Sequence, residues 1–356
     1  MNKNKKILIV PLDWGLGHAT RCMPLIAEFL QQNCEVIVAG TETTNELIRQ
    51  TFPSLQYELI EGYEISYSSS KWKLPFVIAK QIPKILLKIK SENKWLQQFV
   101  VNNEIDIVIS DNRYGLNHPS VKTIFITHQL QIQVPQSKWM QRIVNKINHS
   151  YINKFSVCWV PDYEINAIGK ELSNPKGIKH VEYIGNLSRF KKQDNLEIEN
   201  DIMFLISGPE PQRSLLEQKI ISEFVENDSR KIIVRGLPKT SEILVVNGFT
   251  VFNHLTKKEL QEKILSSKII VCRAGYSTIM DLIKLNKNAL LIPTPGQTEQ
   301  EYLAKELTAR NLFFMLNQTE NILQGITLFK EMKFEKMPEY DLELYKQQVK
   351  KTIGKI

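Results

Sequence analysis

Short apolar runs recur along this chain with room for about one helix between neighbours. Residues 6–10, 35–39, 56–60, 105–109, 123–126 and 156–160 read as strands, with helical patterns at 20–32 and 43–51 and a longer amphipathic segment before residue 105. Strands that alternate with helices predict a parallel sheet covered on both faces. The pattern breaks over 184–201, where Ser188-Arg189-Phe190 leads into a polar, charged stretch ending at Asn200. It then restarts, with strands at 202–207, 231–235, 249–252, 268–272, 289–292 and 312–315 and helices at 212–226, 256–265, from 277, and at 299–309. The expected fold is α/β, with two Rossmann-like domains facing across a cleft. The expected boundaries are 1–190 and 200–335, with 336–356 a C-terminal helix packing back toward the first domain. Ligands in open α/β sheets bind at the carboxyl ends of the strands, so the loops there are where chemistry is expected.

Composition narrows the function classes. The chain has 356 residues and a 42% apolar fraction, enough for two ordinary domains with filled cores. It contains no run of eighteen uncharged apolar residues, so no membrane-spanning helix is expected. The N-terminus is basic, but Ile7-Leu8-Ile9-Val10 is too short for a signal core and reads better as a first strand. Cys22, Cys34, Cys158 and Cys272 show no metal-site spacing, which predicts a reduced, cytoplasmic protein. The formal charge is +8, and residues 1–190 carry 22 Lys and Arg against 16 Asp and Glu. A basic surface fits nucleic acid, anionic lipid or simple solubility, and no nucleic-acid signature accompanies it.

Two strand-to-helix loops carry the chemistry. In the first, Lys268-Ile269-Ile270-Val271-Cys272 reads as a buried strand, followed by Arg273-Ala274-Gly275-Tyr276-Ser277-Thr278 and a helical pattern containing Asp281. Gly275 permits a sharp turn and a close ligand approach. Ser277 and Thr278 present hydroxyls at a helix N-terminus, where phosphate is attracted. A carboxylate one turn in, at Asp281, suits ribose hydroxyls. An ordinary β–α turn has the same local form. The second loop is Pro11-Leu12-Asp13-Trp14-Gly15-Leu16-Gly17-His18-Ala19-Thr20-Arg21. Gly15 and Gly17 fit two positions of a dinucleotide fingerprint, but Thr20 stands where a third glycine belongs, so NAD and FAD are disfavoured. His18 suits a general base or a hydrogen-bond donor to phosphate, or it serves only its own helix. Arg21 is an anion contact or a surface charge.

Together these loops resemble the glycosyltransferases of family 28, the group that contains the MurG-type enzymes. The resemblance rests on Gly15-x-Gly17-His18-x-x-Arg21, on Arg273–Thr278 followed by Asp281, on Pro293-Thr294-Pro295-Gly296 leading to Gln300 and Ala304, and on Val251-Phe252-Asn253-His254-Leu255. It implies the GT-B fold, with a C-terminal half that binds a UDP-type nucleotide sugar as co-substrate, without metal or other cofactor. Carried over, Ser207 and Gly208 sit against the diphosphate, and Arg273, Gly275, Ser277 and Thr278 belong to the donor loop. Asp281 takes the ribose, Leu255 lies at the uracil and Gln300 reads sugar hydroxyls. His18 is implied to face the reacting centre, which suits its reading as the base; Asp111 and His128, which follow two N-terminal strands, read as second-choice bases. The chain departs from the family at residues 207–213, Ser-Gly-Pro-Glu-Pro-Gln-Arg, where two prolines remove N–H donors and shift the burden to Gln212 and Arg213. It departs again at Asp281, where a longer Glu is common, and at Glu299, which precedes the single well-placed Gln.

The implied activity is inverting, metal-independent transfer of a hexose or N-acetylhexosamine to a lipid-linked or glycan acceptor. The alternatives are a nucleotide-sugar epimerase or hydrolase of the same fold, and a non-catalytic binder of a nucleotide sugar or lipid carrier. The acceptor and membrane side is expected to involve Gly15, Gly17, Arg21, Trp72, Lys80, Lys84 and Lys88. Residues 71–90 hold six lysines and no acid, and 138–147 repeat the basic, apolar style. Such segments suit an anionic membrane surface such as the inner face of the cell membrane, although amphipathic helices docked on a sheet look the same.

Overall fold

The structure, a computed structural model, describes residues 4–63, 74–134, 137–193, 196–224, 229–238, 240 and 242–354, and for 74–79 the backbone alone. Two compact units make up the chain. The first comprises Met1–Ile65, Ala79–Leu187 and Glu339–Ile356, and the second is built on Ser188–Pro338.

The first unit runs β1 (Lys6–Pro11), α1 (Leu16–Gln31), β2 (Glu35–Gly40), α2 (Glu42–Arg49), β3 (Gln56–Leu59), α3 (Leu74–Asn102), β4 (Ile107–Asp111), β5 (Lys122–Ile126), α4 (Lys138–Ile152), β6 (Val157–Val160) and β7 (Val181–Tyr183). Its strands are all parallel, in the order β3-β2-β1-β4-β5-β6-β7. Side chains alternate across a strand, and both faces are buried, so the strands read as continuous apolar runs. Ile7, Ile9, Val36, Val38, Ile107 and Ile109 pack with Cys22, Ile26 and Phe29 of α1. Leu8, Val10, Ile37 and Val108 face the other way, onto Leu96, Phe99 and Val100 of α3 and Ile152 of α4. Ile184 and Leu187, at the start of the sequence break, are buried in the first of these cores.

The second unit runs β8 (Asn200–Leu205), α5 (Gln212–Glu223), β9 (Lys231–Val234), β10 (Ile243–Val246), β11 (Phe249–Phe252), α6 (Lys257–Leu265), β12 (Ser267–Cys272), α7 (Tyr276–Lys284), β13 (Leu290–Leu291), α8 (Thr298–Ala309), β14 (Phe314–Met315) and α9 (Ile322–Glu331). The strand order is β10-β11-β9-β8-β12-β13-β14. Ile202, Phe204, Ile233, Val251, Ile269 and Val271 pack on Leu216 and Ile220 of α5 and on Ile326 and Phe329 of α9. One pair departs from the expected parallel sheet, because β10 and β11 are antiparallel. They turn at Asn247-Gly248, both with positive φ (47° and 78°), the conformation of a tight hairpin turn. The last helix, α10 (Leu344–Thr352), belongs to the first unit and packs Val349 into the core that contains α1.

Candidate active site

In the first unit the strand order reverses at β1, with β2 on one side and β4 on the other. Loops leaving the two central strands therefore diverge, which is where open α/β sheets take ligands. After β1, Gly15 adopts φ +90°, with open space where a side chain would stand. α1 starts directly behind it. His18, Arg21 and Cys22 follow at spacings of three and four residues, so they share one face of the helix. That face meets Asp111, the last residue of β4, which is fully buried. His128 arrives from the loop after β5.

The geometry is close. Asp111 Oδ2 lies 3.2 Å from His18 Nδ1. Arg21 Nε donates to the same oxygen at 2.9 Å, and Arg21 Nη2 donates to Oδ1. Arg21 Nη1 stands 3.1 Å from His128 Nδ1, and Cys22 Sγ donates weakly to Asp111 at 3.7 Å. Burial pushes the Asp111 carboxyl up, but Arg21 and His18 outweigh it and hold the pKa at about 2. Burial lowers the His18 pKa from its ordinary value, Asp111 opposes that, and Arg21 adds to it. The stable state at neutral pH is an ionised Asp111 beside a neutral His18. Arg21 Nη2 also lies 3.1 Å from His18 Nδ1; in the tautomer that donates Nδ1–H to Asp111, His18 Nε2 carries the lone pair. Arg21 is buried and serves this set. Behind the loop, Asp13 accepts from the Tyr63 amide at 3.1 Å, and the buried Arg113 pairs with Glu92 at 2.6 Å.

In the second unit the order reverses at β8, between β9 and β12. Ser207 and Gly208 follow β8, and Gly208 has φ +151° and open space beside it. Arg273, Ala274 and Gly275 follow β12. Gly275 is the N-cap of α7 and supplies no side chain to its first turn, which carries Ser277 and Thr278. A Cβ on Gly275 would meet only Thr278 Oγ1, at 3.8 Å. Arg273 is buried, donating to Gln318 Oε1 at 2.7 Å and to the Gln212 carbonyl at 2.7 Å. Leu255 is buried just before α6. Asp281 accepts from Ser188 Oγ at 2.5 Å and lies 3.7 Å from Arg189 Nε. Burial raises its pKa, with Arg189 and Ser188 opposing. Gln300 Oε1 accepts from the Thr294 amide at 2.9 Å, and its amide donates to Gln297 at 2.5 Å. Arg213 pairs with Glu210 at 2.5 Å and with Glu217 at 2.8 Å.

Each sheet thus gathers its own set: His18, Arg21, Asp111 and His128 in the first unit, and Ser207, Gly208, Arg273, Gly275, Ser277 and Thr278 in the second. Sequence reasoning missed Gln318. Its only signal is a polar residue two places beyond the buried Leu316, at the carboxyl end of β14. Among the described residues no group of three or more His, Cys, Asp or Glu is arranged to hold a metal ion.

Trp72 lies outside the described residues. Lys80 and Lys84 are exposed on α3, while Lys88 pairs with Glu61. α3 also exposes Ile82, Leu86 and Leu87, and α4 exposes Trp139, Met140, Ile143 and Ile147. No described helix is long and apolar enough to cross a membrane.

Comparison with known proteins bears on the fold and the enzyme class. The model of the glycosyltransferase family 28 C-terminal domain matches residues 242–349. A UDP-N-acetylglucosamine–N-acetylmuramyl-(pentapeptide) pyrophosphoryl-undecaprenol N-acetylglucosamine transferase of Clostridium tetani is 21% identical, with 92% of this chain and 89% of the relative aligned. An uncharacterised glycosyltransferase of Methanosarcina acetivorans is 22% identical over 83% of this chain and 79% of the relative. Among solved structures, MurG of Acinetobacter baumannii superposes with TM-score 0.53 at 14% identity, over 98% of this chain and 95% of that one. A Streptomyces glycosyltransferase solved with thymidine diphosphate superposes with TM-score 0.60 at 13% identity, over 99% and 95%. With the family 28 C-terminal domain matched over residues 242–349 and MurG-type relatives aligned along most of its length, this chain is a glycosyltransferase with the GT-B fold that resembles the MurG-like enzymes of family 28.

Proposed function

We propose that this enzyme moves a hexose or N-acetylhexosamine from a UDP-type nucleotide sugar to a lipid-linked or glycan acceptor, with inversion and without a metal ion. The observation that carries the reading is the Asp111–His18 pair. An ionised, buried carboxylate orients a neutral imidazole and leaves its Nε2 as a base. In the reaction the acceptor hydroxyl gives its proton to His18 Nε2 as its oxygen bonds to the anomeric carbon. The bond from that carbon to the diphosphate oxygen breaks, and the diphosphate leaves with the electron pair. Its charge is met by the N-terminus of α7 and by Arg273. Ser207, Gly208, Ser277 and Thr278 contact the phosphates. Asp281, Leu255 and Gln300 take ribose, base and sugar, and Arg213 supports the loop after β8.

The donor assignment draws on the curated relatives that carry UDP-N-acetylglucosamine in their names and on the structural neighbour bound to thymidine diphosphate. The acceptor assignment draws on the pyrophosphoryl-undecaprenol in the name of the Clostridium tetani relative. The exposed apolar residues of α3 and α4, flanked by Lys80, Lys84, Lys138 and Arg142, support a cytoplasmic protein that rests on the inner face of the membrane. A thermal-shift series with UDP, GDP, dTDP and their sugars tests the donor half. Binding to the native state raises the melting temperature by mass action, and UDP and its sugars are expected to give the largest rise. No rise with any nucleotide removes the donor assignment.

A further inference from the structure

Arg273 is a buried cation without a counter-ion. It is 3% exposed, and among the described residues no carboxylate pairs with it. The other two buried arginines differ: Arg21 is paired with Asp111 and Arg113 with Glu92. Arg273 instead meets neutral acceptors. Nη1 donates to Gln318 Oε1 at 2.7 Å and lies 3.3 Å and 3.4 Å from the Ile292 and Pro293 carbonyls. Nη2 donates to the Gln212 carbonyl at 2.7 Å, and Nε has no partner. Gln318 Nε2 in turn donates to Gln212 Oε1 at 3.2 Å. Burial lowers the Arg273 pKa to about 10, so it stays charged at neutral pH.

The placement gives that charge a use. Gln212 is the first residue of α5, and Arg273 stands three residues before α7. The guanidinium therefore lies by the first turn of one helix and shortly before the first turn of another, where partial positive charge gathers. A buried charge is costly unless something opposes it, and among the described residues no carboxylate does. We propose that Gln318 and Gln212 are positioning residues that orient Arg273 yet leave it uncompensated, so that the ligand's diphosphate supplies the missing negative charge. Neutrality at position 318 is then what gives the site its affinity for a diphosphate. The inference rests on the nucleotide-sugar reading of the same site.

The test is calorimetric titration of the full chain with UDP, inorganic pyrophosphate and uridine, comparing wild type with Gln318→Glu and Gln318→Met. The glutamate supplies an internal counter-charge. Q318E is expected to melt at or above the wild-type temperature and to lose affinity for UDP and pyrophosphate by about tenfold or more, with uridine unchanged. Q318M keeps the charge and loses only its orientation, so a smaller loss for both anions is expected. Wild-type affinity for UDP and pyrophosphate in both variants overturns the inference, and so does wild-type affinity in Q318M should Q318E fail to fold. A wild type that binds pyrophosphate but not UDP, and loses pyrophosphate in Q318E, keeps this inference and removes the nucleotide reading. A wild type that binds neither overturns both.

Discussion

His18 Nδ1 and Asp111 Oδ2 stand 3.2 Å apart although 93 residues separate them in sequence. α1 and β4 are joined at the one place where the strand order of the first unit reverses. The pair is a base and its orienting carboxylate, so the two are expected to act as a unit. His18→Ala should lower kcat by roughly 10²–10⁴. Asp111→Asn should lower it by a comparable factor through the wrong imidazole tautomer. The double variant should be little worse than either single one, because coupled residues are not additive. Steady-state kinetics of the three proteins decide this, and a multiplicative double loss would show that the pair does not work together.

The pH profile follows from the same geometry. Burial keeps the His18 pKa below its ordinary value. The acid limb of kcat/KM is therefore expected below pH 6.5, the ordinary imidazole value. Stability has the matching sign. Below that value the unfolded chain binds a proton that the folded His18 resists, so stability falls as pH drops. Asp111, with a pKa of about 2, adds a second loss. That contribution is complete above the unfolded value near 4 and is lost as pH falls toward 2. Melting temperature against pH should show both falls in the wild type, and His18→Ala should abolish the first.

Arg21 should prove structural as well as functional. Its guanidinium is the main partner of the buried Asp111, and its removal strands that charge. Arg21→Met is expected to destabilise the fold by about 3–5 kcal/mol. Denaturant unfolding measures this. The added change Asp111→Asn should recover part of the loss, since the stranded charge is then gone. A double variant no more stable than Arg21→Met would refute this account of the pair.

Much of this was legible in the sequence for one reason. Apart from the antiparallel edge strand β10, both sheets are parallel, and their central strands are buried on both faces, so strands such as Ile7–Val10 and Ile269–Cys272 stand out as apolar runs. Chemistry at their carboxyl ends then follows from fold logic, and both His18 and the Arg273–Thr278 loop stand there. Ile243–Val246 is absent from the strands expected above, and with it the β10–β11 hairpin, although Asn247-Gly248 is a strong turn signal. Side-chain pairing was the least legible layer. Nothing in the sequence tells that Asp281 is engaged by Ser188 and Arg189 or that Arg273 is met by Gln318. Those partners come from loops on separate strands, and only the register of the sheet brings them together.

The membrane proposal turns on exposed apolar side chains. Leu87 is 68% exposed and Trp139 65%. Leu87→Asp together with Trp139→Asp should reduce binding to anionic vesicles several-fold while leaving UDP binding unchanged, because both residues are on the first unit and the donor residues on the second. Co-sedimentation with neutral and anionic vesicles measures this. Equal, negligible binding of wild type to both would retire the membrane role.

The most direct measurement of the central claim is acceptor-dependent release of UDP from a UDP-hexose or UDP-N-acetylhexosamine, with wild type and His18→Ala side by side. The account predicts release that depends on a lipid-linked or glycan acceptor in the wild type. It predicts a loss of roughly 10²–10⁴ in His18→Ala, with UDP affinity retained because the donor residues are untouched. UDP release at the same rate without any acceptor, or undiminished turnover in His18→Ala, would contradict it.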